Sequence, residues 1–191
     1  MNYITRERVG SFSDGVFAVI ITVMALELKL PTHPTFTALF DGWPTALSYA
    51  VSYFLIAIVW MNHHFLLRYA SDTTPRLLLW TFTHMFAGSL VPFVTAWLAN
   101  TRLAAVPVFC YAATILLLNL SYHAFAYEVI ERGADAGARS RRRRALGRSL
   151  VTIGLFTLAM LLALKAPLLA FALVTCVLLT YSRPDIPWFA K

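Results

Sequence analysis

Long apolar stretches recur along a chain of only 191 residues, and this recurrence constrains the fold more than any other feature. Six candidates run approximately over 10–29, 45–67, 77–99, 105–127, 148–165 and 167–182, each bounded by charge, proline or both. A membrane-spanning helix takes roughly 20 mostly apolar residues, so six use about 120 and leave about 70 for connections. A seventh span would be crowded and a large soluble domain has no room. With 59% hydrophobic and only 13% charged residues, the composition departs from soluble domains, which carry about 25% charge. The expected fold is all-α: an integral membrane protein of six transmembrane helices, forming a single domain over residues 1–191. Cys110 and Cys176 both lie within apolar runs, which excludes a disulfide framework or a cysteine zinc site and leaves them as small core residues.

The net charge of +7 is unevenly placed. Its densest run is Arg139, Arg141, Arg142, Arg143, Arg144 and Arg148, in the connection before the fifth span. No nucleic-acid module surrounds this run and no aromatics interleave for base stacking, so nucleic acid is not an expected partner. Alternation of spans puts thirteen of the sixteen Lys and Arg on one side; only Lys29, Arg102 and Lys165 fall on the other. By the positive-inside rule both termini are then cytoplasmic, with membrane lipid as the surroundings. The first span is expected to be retained rather than cleaved. It carries Asp14, and no small-x-small cleavage site precedes Glu27.

That first span is the unusual one. Its opening, Arg8-Val-Gly-Ser-Phe12-Ser13-Asp14-Gly15, places an ionisable group at membrane depth, where such groups are costly and mark functional sites. A plainer reading is open beside it: Ser11 or Ser13 with Asp14 capping the free N–H groups of a helix start. Beyond Asp14, helical spacing puts Gly15, Val19, Thr22, Val23, Leu26 and Leu30 on one aliphatic face with a single hydroxyl. Periodicity alone fits ordinary packing through small residues as well as it fits a pore lining.

Arg8-x-x-x-Phe12-Ser13-Asp14, opening an aliphatic first helix, resembles the signature of the TMEM175 family of potassium-permeable channels. Trp60-Met-Asn62-His63-His64 in the second span is similar to the family's Trp and His cluster, and Leu90-Val-Pro92-Phe93 in the third is similar too. The layout of all six spans matches, while strong motif identity covers the first two. The resemblance implies a bacterial inner-membrane channel: a homotetramer of six-helix subunits whose first helices line a central pore. Its isoleucine constriction maps, by distance from Asp14, onto Val19, and the next pore-lining positions onto Val23 and Leu26. Valine for isoleucine is one methylene smaller. No Thr-Val-Gly-Tyr-Gly segment is present, so a carbonyl filter of that kind is not expected. Four copies of Val19 would instead block ions by dewetting. Thr22 is the candidate for selectivity, and Glu27 would concentrate cations unless Lys29 cancels it.

The five histidines do not make a metal set. Adjacent His63 and His64 point to different helix faces, so one helix cannot offer both to one ion. The resemblance implies instead a polar network of Arg8, Ser13, Asp14, Trp60, His64 and His84, anchoring the pore helix to the second and third spans. No catalytic residue, cofactor or bound metal is expected; potassium is the permeant ion, and the partners are a second copy of the chain, lipid and monovalent cations. A cation- or proton-coupled secondary transporter is the alternative, a class that tends to show internal repeats and midplane charge. A membrane enzyme built around His63 and His64 lacks a credible nucleophile, metal set or cofactor motif.

Overall fold

The computed structural model describes residues 4–70, 73–132 and 138–181. Arg183 and Lys191, counted above for topology, lie outside the described residues. Among the described residues eight helices follow in order: α1 (Arg6–Leu26), α2 (Phe36–Asp41), α3 (Trp43–Leu67), α4 (Pro75–Ser89), α5 (Val91–Asn100), α6 (Ala105–Arg132), α7 (Ala138–Ala163) and α8 (Pro167–Tyr181). Among the described residues, four stretches are long and apolar enough to cross a membrane: α1, α3, α4 with α5, and α6. The remaining two candidates are shorter. The apolar part of α7 is Leu150–Ala163, and α8 contributes Pro167–Thr180. They form a tight hairpin, with Pro167 at the first helical position where its missing N–H costs nothing.

Helix starts follow from local chemistry. Thr5, Thr35 and Thr74 are extended N-cap residues whose side chains accept from Arg8, Ala38 and Leu77 backbone N–H groups. Such caps satisfy donors that the first turn leaves open. The Thr5 cap corrects the capping reading of Asp14: α1 begins eight residues earlier than that carboxylate, which is the ninth residue of the 21 in the helix. Ser11 and Ser13 are not caps either. They donate back to the carbonyls of Glu7 and Val9, four residues earlier.

Two further boundaries differ from the sequence expectation. The third span is interrupted: α4 ends at Ser89 and α5 starts at Val91, with Pro92 in its first turn. Proline has no N–H to give to Gly88 and crowds the preceding turn, so the helix breaks there. The arginine run is not loop, since α7 starts at Ala138 and carries it on its first turns. Arg and Ala are strong helix formers, which explains why the helix extends well before the apolar segment.

The core is shared by all the long helices. α6 packs against α4, α5, α7 and α8, while α1 lies in the groove between α3 and the α4–α5 pair. Phe17, Ile20 and Met24 of α1 meet Leu55 and Ile56 of α3 and Val94 and Leu98 of α5 in this core. The groove is close because Gly88 stands at its wall. A Cβ there would sit 3.4 Å from Ile20 Cδ1 and 3.6 Å from Phe17 Cε1. Behind it a buried hydroxyl chain ties three helices: Thr95 donates to Ser52 (2.8 Å), and Ser52 shares a hydrogen bond with the Tyr111 hydroxyl (3.0 Å).

The Gly88 contact gives a size-dependent prediction. Gly88→Ala adds a methyl at ordinary contact distance and leaves thermal stability in detergent nearly unchanged. Gly88→Leu overfills the groove and costs about 1–3 kcal/mol, seen as a lowered Tm; equal melting of the two variants would show that α1 is not seated there.

Candidate functional site

The basal end of the bundle, as used below, is the end where α1 begins; the distal end is the opposite one. Successive residues of a helix are rotated by about 100°, and at Phe12-Ser13-Asp14 this sends three neighbours to three places. Phe12 meets Phe82 of α4 edge-on, with ring centroids 5.9 Å apart. Ser13 is fully buried against the bundle, where its small size allows close approach. Asp14 turns to α3: its Oδ1 accepts from Trp60 Nε1 at 2.8 Å, and His64 Nδ1 lies 3.8 Å from the same oxygen. The Trp60 and His64 rings lie against each other, 5.6 Å between centroids. Asp14 and His64 keep 45% and 41% of their side-chain surface exposed within the single chain.

The rotation of α1 that these contacts define leaves one face uncovered. Val9, Ser13, Phe17, Ile20 and Met24 are buried, whereas Val19 (59% exposed), Val23 (40%) and Leu26 (84%) look outward. Gly15 and Thr22 share that open face. Thr22 donates its hydroxyl to the Val19 carbonyl at 2.8 Å, and its oxygen keeps acceptor capacity.

The remaining residues of the expected network are placed elsewhere. His84 does not join Asp14; its Nδ1 pairs with Ser121 Oγ of α6 at 2.9 Å. Its ring stacks on His63, 5.8 Å apart and within 8° of parallel, and Phe125 also stacks on His63, at 5.0 Å. Phe17 leans on both imidazoles, at 5.7 and 6.3 Å. His63, read from sequence only as pointing away from His64, is therefore the buried support of α1, while His64 takes the exposed side. Arg8 is exposed and forms no ion pair among the described residues. The basic residue that does hold α1 is Arg6, which was read only as a topology charge. Its Nη1 donates to the carbonyls of Arg68 and Ala70, both at 3.0 Å, where the end of α3 leaves carbonyls unpaired and favours a cation. Thr73 adds a hydrogen bond from its hydroxyl to the Ile4 carbonyl. These partners lie more than 60 residues away, and no local pattern announces them.

At the distal end Lys29 does not neutralise Glu27. Lys29 Nζ donates instead to Asn100 Oδ1 at 2.8 Å. A cleft bordered by Glu27, Thr45, Tyr49, Thr95 and Asn100 encloses about 10 Å³, room for one water rather than a substrate. Among the described residues, no three His, Cys, Asp or Glu side chains converge in a way that would hold a metal.

A bundle of apolar helices, with one helix pinned by polar contacts at its basal end and bare along one face, belongs to the class of multi-span membrane proteins. The model of the endosomal/lysosomal potassium channel TMEM175 family matches residues 8–92, from Arg8 through the break at Pro92. A potassium channel of Streptomyces collinus is 32% identical over 156 residues, covering 73% of this chain and 76% of its own. One of Chryseobacterium is 29% identical over 95% of this chain and 94% of its own. The animal protein of Danio rerio, named an endosomal/lysosomal proton channel, is 30% identical over 46% of this chain and only 19% of its own. Among solved structures, a lysosomal potassium-selective channel TMEM175 homolog from Chamaesiphon minutus superimposes with a TM-score of 0.82 at 25% identity, covering 93% and 96% of the two chains. This chain belongs to the TMEM175 family.

The Asp14 contact predicts an ordering of variants. Trp60→Phe keeps the ring but removes the donor, and Asp14→Ala removes the acceptor; each lowers stability by about 1–3 kcal/mol. Asp14→Asn retains an oxygen for Trp60 and loses less. Thermal unfolding of the three in one detergent tests this, and Trp60→Phe melting with the wild type would show that the contact does not hold α1.

Proposed function

We propose that this chain is one subunit of a homotetrameric, potassium-permeable cation channel in a bacterial cell membrane. Six spans place both termini in the cytoplasm, with α7 and α8 completing the crossing. Ions pass down their gradient through a central pore lined by α1. The observation that carries this reading is the bare aliphatic face of α1 beside a carboxylate held at membrane depth. A helix that packs half its surface and leaves the other half apolar and narrow is suited to line an axis with its copies.

In that arrangement Val19 is the constriction, with Val23 and Leu26 continuing the lining toward the distal mouth. Four valine side chains leave no polar group for an ion's hydration shell, so the ring closes by dewetting and opens with a modest widening. Thr22, one turn beyond Val19, offers hydroxyl oxygens to a partly dehydrated cation. Glu27 stays uncompensated by Lys29 and raises the local cation concentration at the mouth. Phe12, Ser13, Asp14, Trp60, His64 and His84 serve the pore helix as supports rather than ion ligands, while exposed Arg8 yields that role to Arg6. Asp14, Trp60 and His64 fix its rotation, Phe12 and Ser13 its seating, and His84 acts through Phe17.

The break at Leu90 favours a second reading, because discontinuous helices also build the sites of secondary transporters. Against it, the break abuts the apolar side of α1 at Phe17 and Ile20 rather than a cluster of ionisable groups.

Flux through purified protein in liposomes under opposed potassium and sodium gradients separates the two. A channel conducts with no proton gradient, and Val19→Ala and Val19→Asn both raise potassium flux several-fold. Flux that requires a proton gradient, or that is indifferent to Val19, overturns the pore assignment. Thr22→Val is expected to shift the potassium-to-sodium ratio without abolishing flux.

A further inference from the structure

Three polar atoms beneath α1 meet no donor or acceptor of the protein: His63 Nε2 on α3, and Thr81 Oγ1 and His84 Nε2 on α4. All three residues are closed off from the surface of the bundle, none more than 1% exposed. Buried polar groups find a partner almost without exception, either in the chain or in ordered water. Thr81 also departs from its own kind. Thr83, Thr114, Thr157 and Thr175 each donate to the carbonyl four residues earlier, a bond open to any threonine within a helix. The Thr81 hydroxyl does not make it.

The hydrogens at His84 fix what its second nitrogen can do. Ser121 donates its one hydroxyl hydrogen to the Leu118 carbonyl at 2.9 Å. It can therefore only accept from His84 Nδ1, also at 2.9 Å. With the hydrogen on Nδ1, Nε2 of an uncharged imidazole carries a lone pair and accepts. The spacing suits a single bridging molecule. The His63 and His84 rings lie 5.8 Å apart and nearly parallel. Thr81 stands three residues before His84 on the same face of α4, a separation of about 5–6 Å between Cβ atoms. Two hydrogen bonds of about 2.8 Å, shared by one water, reach across about 5.6 Å.

We propose that His63, Thr81 and His84 hold one buried water molecule under Phe17. The water donates to His84 Nε2 and keeps one hydrogen and two lone pairs for His63 Nε2 and the Thr81 hydroxyl. Three partners is the usual number for a buried water. A metal ion suits the site less well: two imidazoles and a hydroxyl include no anionic ligand, and among the described residues no three His, Cys, Asp or Glu converge. The water accounts for a pair of imidazoles within an apolar core. Phe17 of α1 rests on both rings, at 5.7 and 6.3 Å. With Ser121 on one edge of His84 and water on the other, that ring can neither flip nor turn, so the water fixes the seat of the first helix. All three partners belong to one chain, and the site stands whether or not copies assemble.

The test uses the full chain in lipid bilayers with isotope-labelled histidine. Solid-state NMR spectra edited for magnetisation arriving from water are expected to show transfer to the His63 and His84 imidazoles, although both are shut off from bulk solvent. Thr81→Val keeps the shape of the side chain and removes its hydroxyl, and transfer is expected to fall several-fold. Thr81→Ser restores the hydroxyl and is expected to keep the transfer. In a crystal structure at a resolution that shows ordered water, one peak is expected within hydrogen-bond distance of all three atoms. Wild-type imidazoles that receive no transfer overturn the proposal, as does transfer unchanged by Thr81→Val. A peak that scatters anomalously as a metal and is lost to a chelator also overturns it by identifying another occupant. Should Thr81→Val fail to fold, wild type and Thr81→Ser decide, and loss of transfer in the serine variant overturns the proposal.

Discussion

The rotation of α1 about its own axis is the constraint on which the rest of the structure depends. A carboxylate within a membrane span must be solvated by protein, because hydrocarbon offers no donors. Asp14 finds its donor in the Trp60 indole, and the consecutive placement of Phe12 and Ser13 leaves no freedom for the helix to turn. With Asp14 against α3 and Phe12 against α4, Ser13 must face the core. The face that carries Gly15, Val19 and Thr22 must face away from it. A small change in this contact would rotate every residue of that bare face at once, since a helix transmits rotation along its length.

The support beneath α1 is built differently from its flank. Phe17 rests on two stacked imidazoles, and His84 is fixed by Ser121 while His63 stacks with both His84 and Phe125. Flat rings tolerate small sliding better than interlocked aliphatic chains do. Just distal to this stack the helix break at Leu90 brings Gly88 close to Phe17 and Ile20. The basal half of α1 is thus held by directional contacts, including the Arg6 clasp on the end of α3. Its distal half is held by apolar packing and by Lys29 bonding to Asn100.

Much of this was legible in the sequence. Long apolar runs announced the helices, and the run of α1 announced a face, because a 3.6-residue period leaves a readable stripe. Asp14 and Trp60 were legible as unusual groups at similar depth. Other features were not. His63 and His64 are adjacent and chemically identical, and only the packing of α3 decides that His63 is buried and His64 half-exposed. The family resemblance and complementary hydrogen-bonding groups place His84 with Asp14, yet in the folded chain its partner is Ser121. The charge of the arginine run suggests a connection between spans, whereas α7 extends through it.

The sequence by itself determined that the chain is helical and membrane-embedded, where its apolar segments lie, and that its first helix carries a motif foreign to ordinary packing. Those properties follow from composition and local periodicity, which act within a few turns of helix. The tertiary structure decided which partner each polar group takes, where the third span breaks against its neighbours, and which face of α1 is left bare. Such choices depend on residues far apart along the chain, 46 positions between Asp14 and Trp60 and 62 between Arg6 and Arg68. The cost of an unpaired polar group in a membrane makes those distant pairings obligatory, but only the folded arrangement of helices says which of them is within reach.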